Sequence, residues 1–313
     1  MTTLLFTHPA CAGHSAGPGH PESPVRLEAI RAAVDTAALP GLARREAPLA
    51  ARETVALLHP PAYVEAILAA VPAEGYVRLD PDTLMSPGSG EAALRASGAA
   101  VAAVDAVLAG EAANAFCAIR PPGHHAEPDR AMGFCLFNHV AIAARHARAR
   151  HGLRRIAIVD FDVHHGNGTQ AAFWNDPDTL YVSTHQWPLY PGTGAATETG
   201  VHGTIVNVPL SPGTDGEAYR RAVTEKVLPV LDRFAPELVL LSAGFDAHRA
   251  DPLASLALVE DDFAWITAEM AALAARHARG RVVSLLEGGY DPGALGRSVV
   301  AHLRELIRAG EGT

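Results

Sequence analysis

The feature that most limits the fold is the recurrence, along the whole chain, of short apolar runs separated by longer segments of helical spacing. The runs TLLFTH (3 to 8), AFCAIR (115 to 120), RIAIVDFD (155 to 162), TLYVST (179 to 184), TIVNVPL (204 to 210), ELVLLSAGFD (237 to 246) and RVVSLLEGG (281 to 289) carry few polar residues in their interiors. A strand that is apolar on both faces has to be covered on both faces, which is the condition of a parallel sheet between two layers of helices. Helical spacing fills the intervals at 89 to 109, 138 to 150, 216 to 233, 260 to 278 and 294 to 308. Ser23 and Pro24 read as one further helix start, the serine as cap and the proline in the first turn. No linker, repeat or shift of composition interrupts the alternation. Residues 1 to 313 are therefore expected to form a single α/β domain with a mostly parallel sheet and helices on both faces.

Composition removes several classes of function. Lys and Arg number 25 against 34 Asp and Glu, a formal charge of -9 with no basic run, so nucleic acid has no electrostatic footprint to bind. Cys11, Cys117 and Cys135 are too few and too scattered for a disulfide framework or a thiolate zinc site, and are expected to be small buried hydrophobes in a reducing compartment. The N-terminus MTTLLFTHPA lacks the pattern of a secretion signal, and no apolar run reaches membrane-spanning length. A cytoplasmic protein without membrane contact is expected. A homo-oligomer is left open.

The candidate chemistry sits where the apolar runs end, which is where ligands bind in such sheets. In VDFDVHHGNGTQ (159 to 170), Asp160, Asp162 and His164 alternate as a strand ends, and period-2 alternation points them to one side. Carboxylates in such a place need a cation or donors close by. Asp162, His164 and Asp246 could give a divalent ion two carboxylate oxygens and an imidazole nitrogen, with a position left open for water. Helix capping by these acids is the plain alternative, but it explains one aspartate better than a set of acids and histidines at several strand ends. In RPPGHHAEPDRAMGFC (120 to 135), prolines and glycines hold His124 and His125 in an irregular loop. Two imidazoles side by side suit acid-base work, one taking a proton and the other returning one, with Asp160 and Asn167 available to fix the ring tautomers. In LEGGYDP (286 to 292), Tyr290 could act as an oxyanion donor, although Gly-Gly-Tyr alone reads as an ordinary turn. His8, His14, His146, His151, His277 and His302 carry no functional expectation.

Together these pieces resemble the zinc-dependent histone deacetylase family, in particular its bacterial class II-like amidohydrolases. GHPESPVRLEAI (19 to 30), IRPPGHHA (119 to 126), GFCLFNHVAIAA (133 to 144), DFDVHHGNGT (160 to 169), YPGTG (190 to 194), SAGFDAHRADPL (242 to 253) and LEGGY (286 to 290) run in the family's order across nearly the whole chain. The resemblance implies the arginase/deacetylase fold with an eight-stranded sheet, one Zn2+ held by Asp162, His164 and Asp246, and tandem catalytic histidines His124 and His125 backed by Asp160 and Asn167. It implies that Tyr290 polarises the carbonyl, that Gly133, Phe134, Tyr190 and Leu253 line a narrow tunnel, and that Arg26 stands beside an internal product channel. A structural K+ near Asp160, Asp162, His164, Ser183 and Thr184 also follows from it.

Two positions differ from part of the family. His139 stands where many relatives have asparagine, which should be harmless at the start of a helix. Asn167 stands where class I members have aspartate, as class II members commonly have it. A neutral partner raises an imidazole's pKa less than a carboxylate does, so His125 is expected neutral, as the base, with His124 kept cationic by Asp160.

The expected reaction is hydrolysis of an acyl amide on a primary amine with release of acetate, the substrate being an acylated lysine of a peptide or protein or an acylated small amine. Within that class an acetylpolyamine amidohydrolase is the alternative, although the position after Asp251-Pro252 is the apolar Leu253 and not a cation-recognising acid. Asp80 and Asp82 in LDPDT could hold a substrate amide or amine at the rim, or simply form a turn. A binuclear ureohydrolase of arginase type would need a second metal-binding acid at position 248, which is His248. The remaining rival is an acyl-amine binding protein without catalysis.

Overall fold

The computed structural model describes residues 1 to 311. In chain order the strands are β1 (Thr3–Thr7), β2 (Leu42–Glu46), β3 (Val77–Arg78), β4 (Leu84–Met85), β5 (Asn114–Cys117), β6 (Ile156–Asp160), β7 (Thr179–Gln186), β8 (Ile205–Leu210), β9 (Leu238–Ala243) and β10 (Val282–Leu286). The helices are α1 (Val25–Ala37), α2 (Arg52–Val55), α3 (Pro61–Ala69), α4 (Ser89–Leu108), α5 (His139–His151), α6 (Asn167–Phe173), α7 (Gly216–Ala222), α8 (Leu228–Phe234), α9 (Glu260–His277) and α10 (Pro292–Glu311). Eight strands form one sheet in the order β2-β1-β5-β10-β9-β6-β7-β8, and every pairing in it is parallel. β3 and β4 make a separate antiparallel ribbon.

All seven apolar runs form strands of that sheet. Strand side chains alternate between two cores. Ile156 and Ile158 of β6, with Leu238 and Leu240 of β9, face the α4 and α5 layer, while Ala157, Val159, Val239 and Leu241 face the α1, α9 and α10 layer. The eighth strand, β2, has the sequence LARRE and is half-buried to exposed because it lies at the edge, so it carries no apolar signature.

Two helical expectations differ from the structure. The segment 216 to 233 is not one regular helix: a wider π turn at Val223–Val227 separates α7 from α8. α1 begins at Val25, after Pro24, without a side-chain cap; Ser23 contributes its carbonyl to the Arg26 N–H instead of its hydroxyl.

The sheet order is what positions the site. β5, β10, β9 and β6 are adjacent at the centre, so the loops leaving their carboxyl ends meet although they lie far apart in the sequence. Those loops carry His124 and His125, Glu287 to Tyr290, Asp246, and Asp162 to His164 respectively.

Candidate active site

Asp162 and Asp246 are 1% and 0% exposed, and the side-chain atoms of Asp162, His164 and Asp246 lie within 4.8 Å of one another. His164 Nδ1 stands 3.1 Å from Asp162 Oδ1 and 3.1 Å from Asp246 Oδ2. Backbone donors hold both acids: Gly288 N–H and His164 N–H bind Asp162 at 2.7 and 2.9 Å, and Val163 N–H binds Asp246 at 2.9 Å. A Cβ at Gly288 would stand 2.0 Å from Asp246 Oδ2, so only glycine lets the backbone pass this close to the acids.

This donor set fits a divalent cation. Two buried carboxylates face one ring nitrogen at equal distance, and the single hydrogen of Nδ1 can serve only one of them well. Bonds of ~2.0 to 2.2 Å from a central Zn2+ would put ligand atoms at about this separation. Without a cation two of the three groups hold on to protons, while His124 and His164 outweigh burial and hold Asp162 below the ordinary carboxylate range. Burial, with Asp162 beside it, raises Asp246 to about 7, and although burial alone would lower His164, the hydrogen bonds to Asp162 and Asp246 raise it to about 10.

The tandem histidines are both buried, their ring centroids 4.0 Å apart. Three donors converge on Asp160: His124 Nδ1 at 3.0 Å, Tyr181 OH at 3.0 Å and Asp162 N–H at 3.2 Å. Burial raises the Asp160 carboxyl above its ordinary value, and the His124 ring and the Tyr181 hydroxyl work against that rise. Burial pulls the His124 pKa down, but Asp160, Asp162 and Glu287 outweigh it and hold the ring well above the ordinary histidine value. For His125 burial comes first and the neighbouring His124 and His164 add to it, so its pKa falls well below that value. Asn167 Nδ2 donates to Glu127 Oε1 at 2.8 Å, which turns the Asn167 oxygen to His125 Nδ1 at 2.9 Å. A neutral His125 thus donates from Nδ1 and keeps its Nε2 lone pair free.

The remaining expected residues surround these rings. Gly133 (φ 56°) and Phe134 (φ 68°) both take left-handed backbone. A Cβ on Gly133 would stand 2.5 Å from His125 Cδ2. Phe134 packs edge-on to Tyr290 at 5.9 Å, and Tyr190 packs edge-on to His125 at 5.1 Å. Burial keeps the Tyr290 phenol protonated, well above its usual range. Arg26 lies 4.9 Å over the Tyr290 ring and donates to the main-chain oxygens of Gly289, at 2.7 Å, and Glu287. Leu253 is half-buried and tied to this loop through Asp251, whose two oxygens accept from Leu253 N–H at 3.0 Å and Tyr290 N–H at 2.6 Å. Ser183 pairs in register with Asp160, and Thr184 follows it on β7.

Other positions have structural tasks. Asp80 forms the turn of the small ribbon, its Oδ1 accepting from Asp82 N–H at 3.0 Å and Thr83 N–H at 2.6 Å, and Thr83 Oγ1 then accepts from Phe134 N–H at 3.1 Å. His248 turns away from the three-ligand cluster, stacked on Phe263 with Nδ1 accepting from Ala250 N–H at 3.0 Å. His139 is fully buried and braces the histidine loop: Nδ1 meets Ser97 Oγ at 2.9 Å and Nε2 meets Pro121 O at 3.2 Å.

The sequence reading gave no role to two acids, Glu287 and Asp251. Glu287 Oε2 accepts from the N–H groups of Gly123 and His124 at 2.7 and 3.1 Å, and its Oε1 accepts from Ser242 at 3.3 Å. The signal available was a carboxylate directly after an apolar run.

A fold of this topology with such a cluster at the centre of its sheet is that of the hydrolytic deacetylases. The histone deacetylase domain model matches residues 20–306, and the chain belongs to that family. It is 42% identical to a histone deacetylase-like amidohydrolase of Pseudomonas aeruginosa, over 97% of this chain and 86% of that protein. It is 41% identical to a probable deacetylase of Archaeoglobus fulgidus (93% and 82%) and 39% identical to the chloroplastic histone deacetylase 14 of Arabidopsis thaliana (97% and 76%). The crystal structure of the HDA15 HD domain superimposes with a TM-score of 0.92 at 35% identity, covering 98% of this chain and 90% of that one. The protein is therefore a hydrolytic deacetylase with the arginase/deacetylase fold. No helix among the described residues is long and apolar enough to cross a membrane.

Proposed function

We propose that this deacetylase uses one zinc ion, held by Asp162, His164 and Asp246, to hydrolyse the acyl amide of an acylated lysine or a related acylated primary amine. When bound, the ion supplies Lewis acidity, polarising the amide carbonyl and easing ionisation of the attacking water. His125, neutral and with Nε2 free, takes the proton of that water. The Tyr290 phenol, kept protonated by its burial, donates to the oxygen that becomes negative as the amide carbon turns tetrahedral. His124, held as an imidazolium against Asp160, returns a proton to the departing nitrogen, and acetate and the free amine separate. Gly133, Phe134, Tyr190 and Leu253 confine the aminoalkyl chain, Arg26 positions the Tyr290 loop beside the product path, and a K+ near Asp160, Asp162, His164, Ser183 and Thr184 would steady the metal-bearing strand end. The residues act within one domain, and the three buried free thiols suit a reducing, cytoplasmic setting.

One observation carries the reading: the paired rings of His124 and His125, backed by a carboxyl group and an amide oxygen respectively, stand beside a group of three potential cation ligands. The turn at Asp80, the absence of an acid at Leu253 and the family match favour acyl-lysine over acetylpolyamine. The test is turnover of fluorogenic acetyl-lysine peptide, acetylputrescine and longer acyl-lysines by zinc-reconstituted protein, with and without a hydroxamate. Peptide hydrolysis should dominate and the hydroxamate should stop it. An Asp246→Asn protein with unimpaired turnover would refute the ligand assignment, and turnover of acetylputrescine alone would reverse the choice of substrate.

A further inference from the structure

A second convergence of ligand atoms lies where two helices end, outside the residues given a part in catalysis. Asp105 is in the last turn of α4, and His146 and His151 are in the last two turns of α5. The Nε2 atoms of both imidazoles point at the same carboxylate oxygen, Asp105 Oδ1, at 2.7 and 2.6 Å, and all three ligand atoms fall within 4.8 Å of one another. The side chains are 15%, 26% and 50% exposed for His146, His151 and Asp105, so the group opens to solvent on one side.

The helices themselves supply an independent argument. α4 and α5 run in the same direction, since Ser97 in the middle of α4 meets His139 at the start of α5, and Asp105 in the last turn of α4 meets His146 further along α5. α4 stops at Leu108 and α5 at His151, where Gly152 turns left-handed at φ 68°. Both carboxyl ends, with their negative dipole ends, therefore border this group, and a cation placed there is favoured by both.

A pair of ring N–H donors on one oxygen can be held by hydrogen bonds alone. The same atoms, as two neutral imidazole nitrogens and a carboxylate, are also the donor set that suits zinc-class ions and not calcium or magnesium, which take oxygen ligands. Opening the nitrogen-oxygen separations to the ~3 Å that a central ion requires needs only small side-chain movements at a half-exposed site. We propose that Asp105, His146 and His151 form a second metal site that binds a Zn2+-class ion with water in its open position. The ion clamps the end of α5 to α4. The opposite end of α5 braces the histidine loop, where Asn138 Nδ2 donates to Ala126 O at 3.3 Å and His139 meets Pro121 O.

The experiment is calorimetric titration of Zn2+ into protein already carrying one equivalent of zinc, with melting temperature and turnover followed alongside. Wild type should take up one further ion per chain and melt higher as it does so. His146→Ala/His151→Ala, at half-exposed helix positions where alanine favours the helix, should keep the first equivalent and its turnover and lose both the second ion and the zinc-dependent rise in melting temperature. Asp246→Asn should do the reverse, losing the first equivalent and keeping the second, which separates this site from the catalytic one. Equal uptake by wild type and the double histidine variant, or no uptake by wild type beyond the first ion, would overturn the proposal.

Discussion

Glu287→Ala removes an anchor of the histidine loop without touching the residues assigned to chemistry. The Glu287 side chain is fully buried and accepts from Gly123 N–H at 2.7 Å and His124 N–H at 3.1 Å. Alanine leaves both donors buried without an acceptor, at about 1 to 3 kcal/mol each, so a loss of about 2 to 6 kcal/mol of stability is expected. That is within the range a domain of ordinary stability survives, so the variant should fold and be assayable. Turnover should fall as well, because the peptide that orients both rings is released. Glu287→Gln is the control. It keeps an oxygen for the two N–H groups and presents an amide to Ser242, so its stability should stay much nearer wild type, while the imidazolium of His124 loses one of the three carboxylates that favour it. Urea denaturation with steady-state turnover on an acetyl-lysine peptide reads both effects. A Glu287→Ala protein within about 0.5 kcal/mol of wild type, the ordinary surface range, and with unchanged turnover would refute the anchoring role.

Other outcomes follow from the same geometry. Gly133→Ala would drive a methyl group into the His125 ring at a left-handed position, so kcat should fall by about 10²-fold, the order of loss for ~1 Å misplacement of a reacting group, and unchanged kcat would contradict the packing. Tyr290→Phe should reduce kcat by about 10²-fold or more while substrate affinity holds, and full activity would remove the oxyanion role. Burial lowers the pKa of His59 to about 4, and of His139 and His302 to about 3, so the unfolded chain binds more protons below its histidine pKa of about 6.5. The stability these neutral rings contribute is complete above that pH and is lost progressively as the pH falls from about 6.5 towards 4, by up to about 1.4 kcal/mol per unit for each ring. A His302→Gln protein should lose less stability than wild type between pH 7.5 and 5 in urea melts, and an identical pH dependence of the two would contradict it. Asp251→Ala should lower kcat by freeing the Tyr290 and Leu253 loops from each other, and an unaltered kcat would show that Tyr290 needs no such tie.

The central sheet was legible because its strands are buried on both faces and say so in their composition, whereas β2, LARRE at the edge, is written in polar residues and went unread. The short α2 and α3 and the β3-β4 ribbon have too few residues to show a period. At the site, the side chains that face one another across the strand ends were readable from their residue types and order. The residues that merely hold backbone, Glu287 and Asp251, were not, because their partners are peptide N–H groups up to 164 positions away and leave no pattern. His139 was expected to be neutral in effect, and its bonds to Ser97 and Pro121 show it carrying part of the loop's support. The same blindness applies to His146 and His151, which read as surface residues until two helix ends place them over one aspartate.

The order β5-β10-β9-β6 at the centre of the sheet also has a kinetic meaning. β5 and β10 are neighbours although Asn114 and Val282 stand 168 positions apart in sequence, so no early hairpin or local helix can bring the histidine loop to the Tyr290 loop. Pairings between such distant segments form slowly, since the chain entropy of closing the loop is lost before the contact repays it. During refolding, regained turnover should therefore trail the return of helical signal, with enzymatic competence reporting on completion of the innermost sheet.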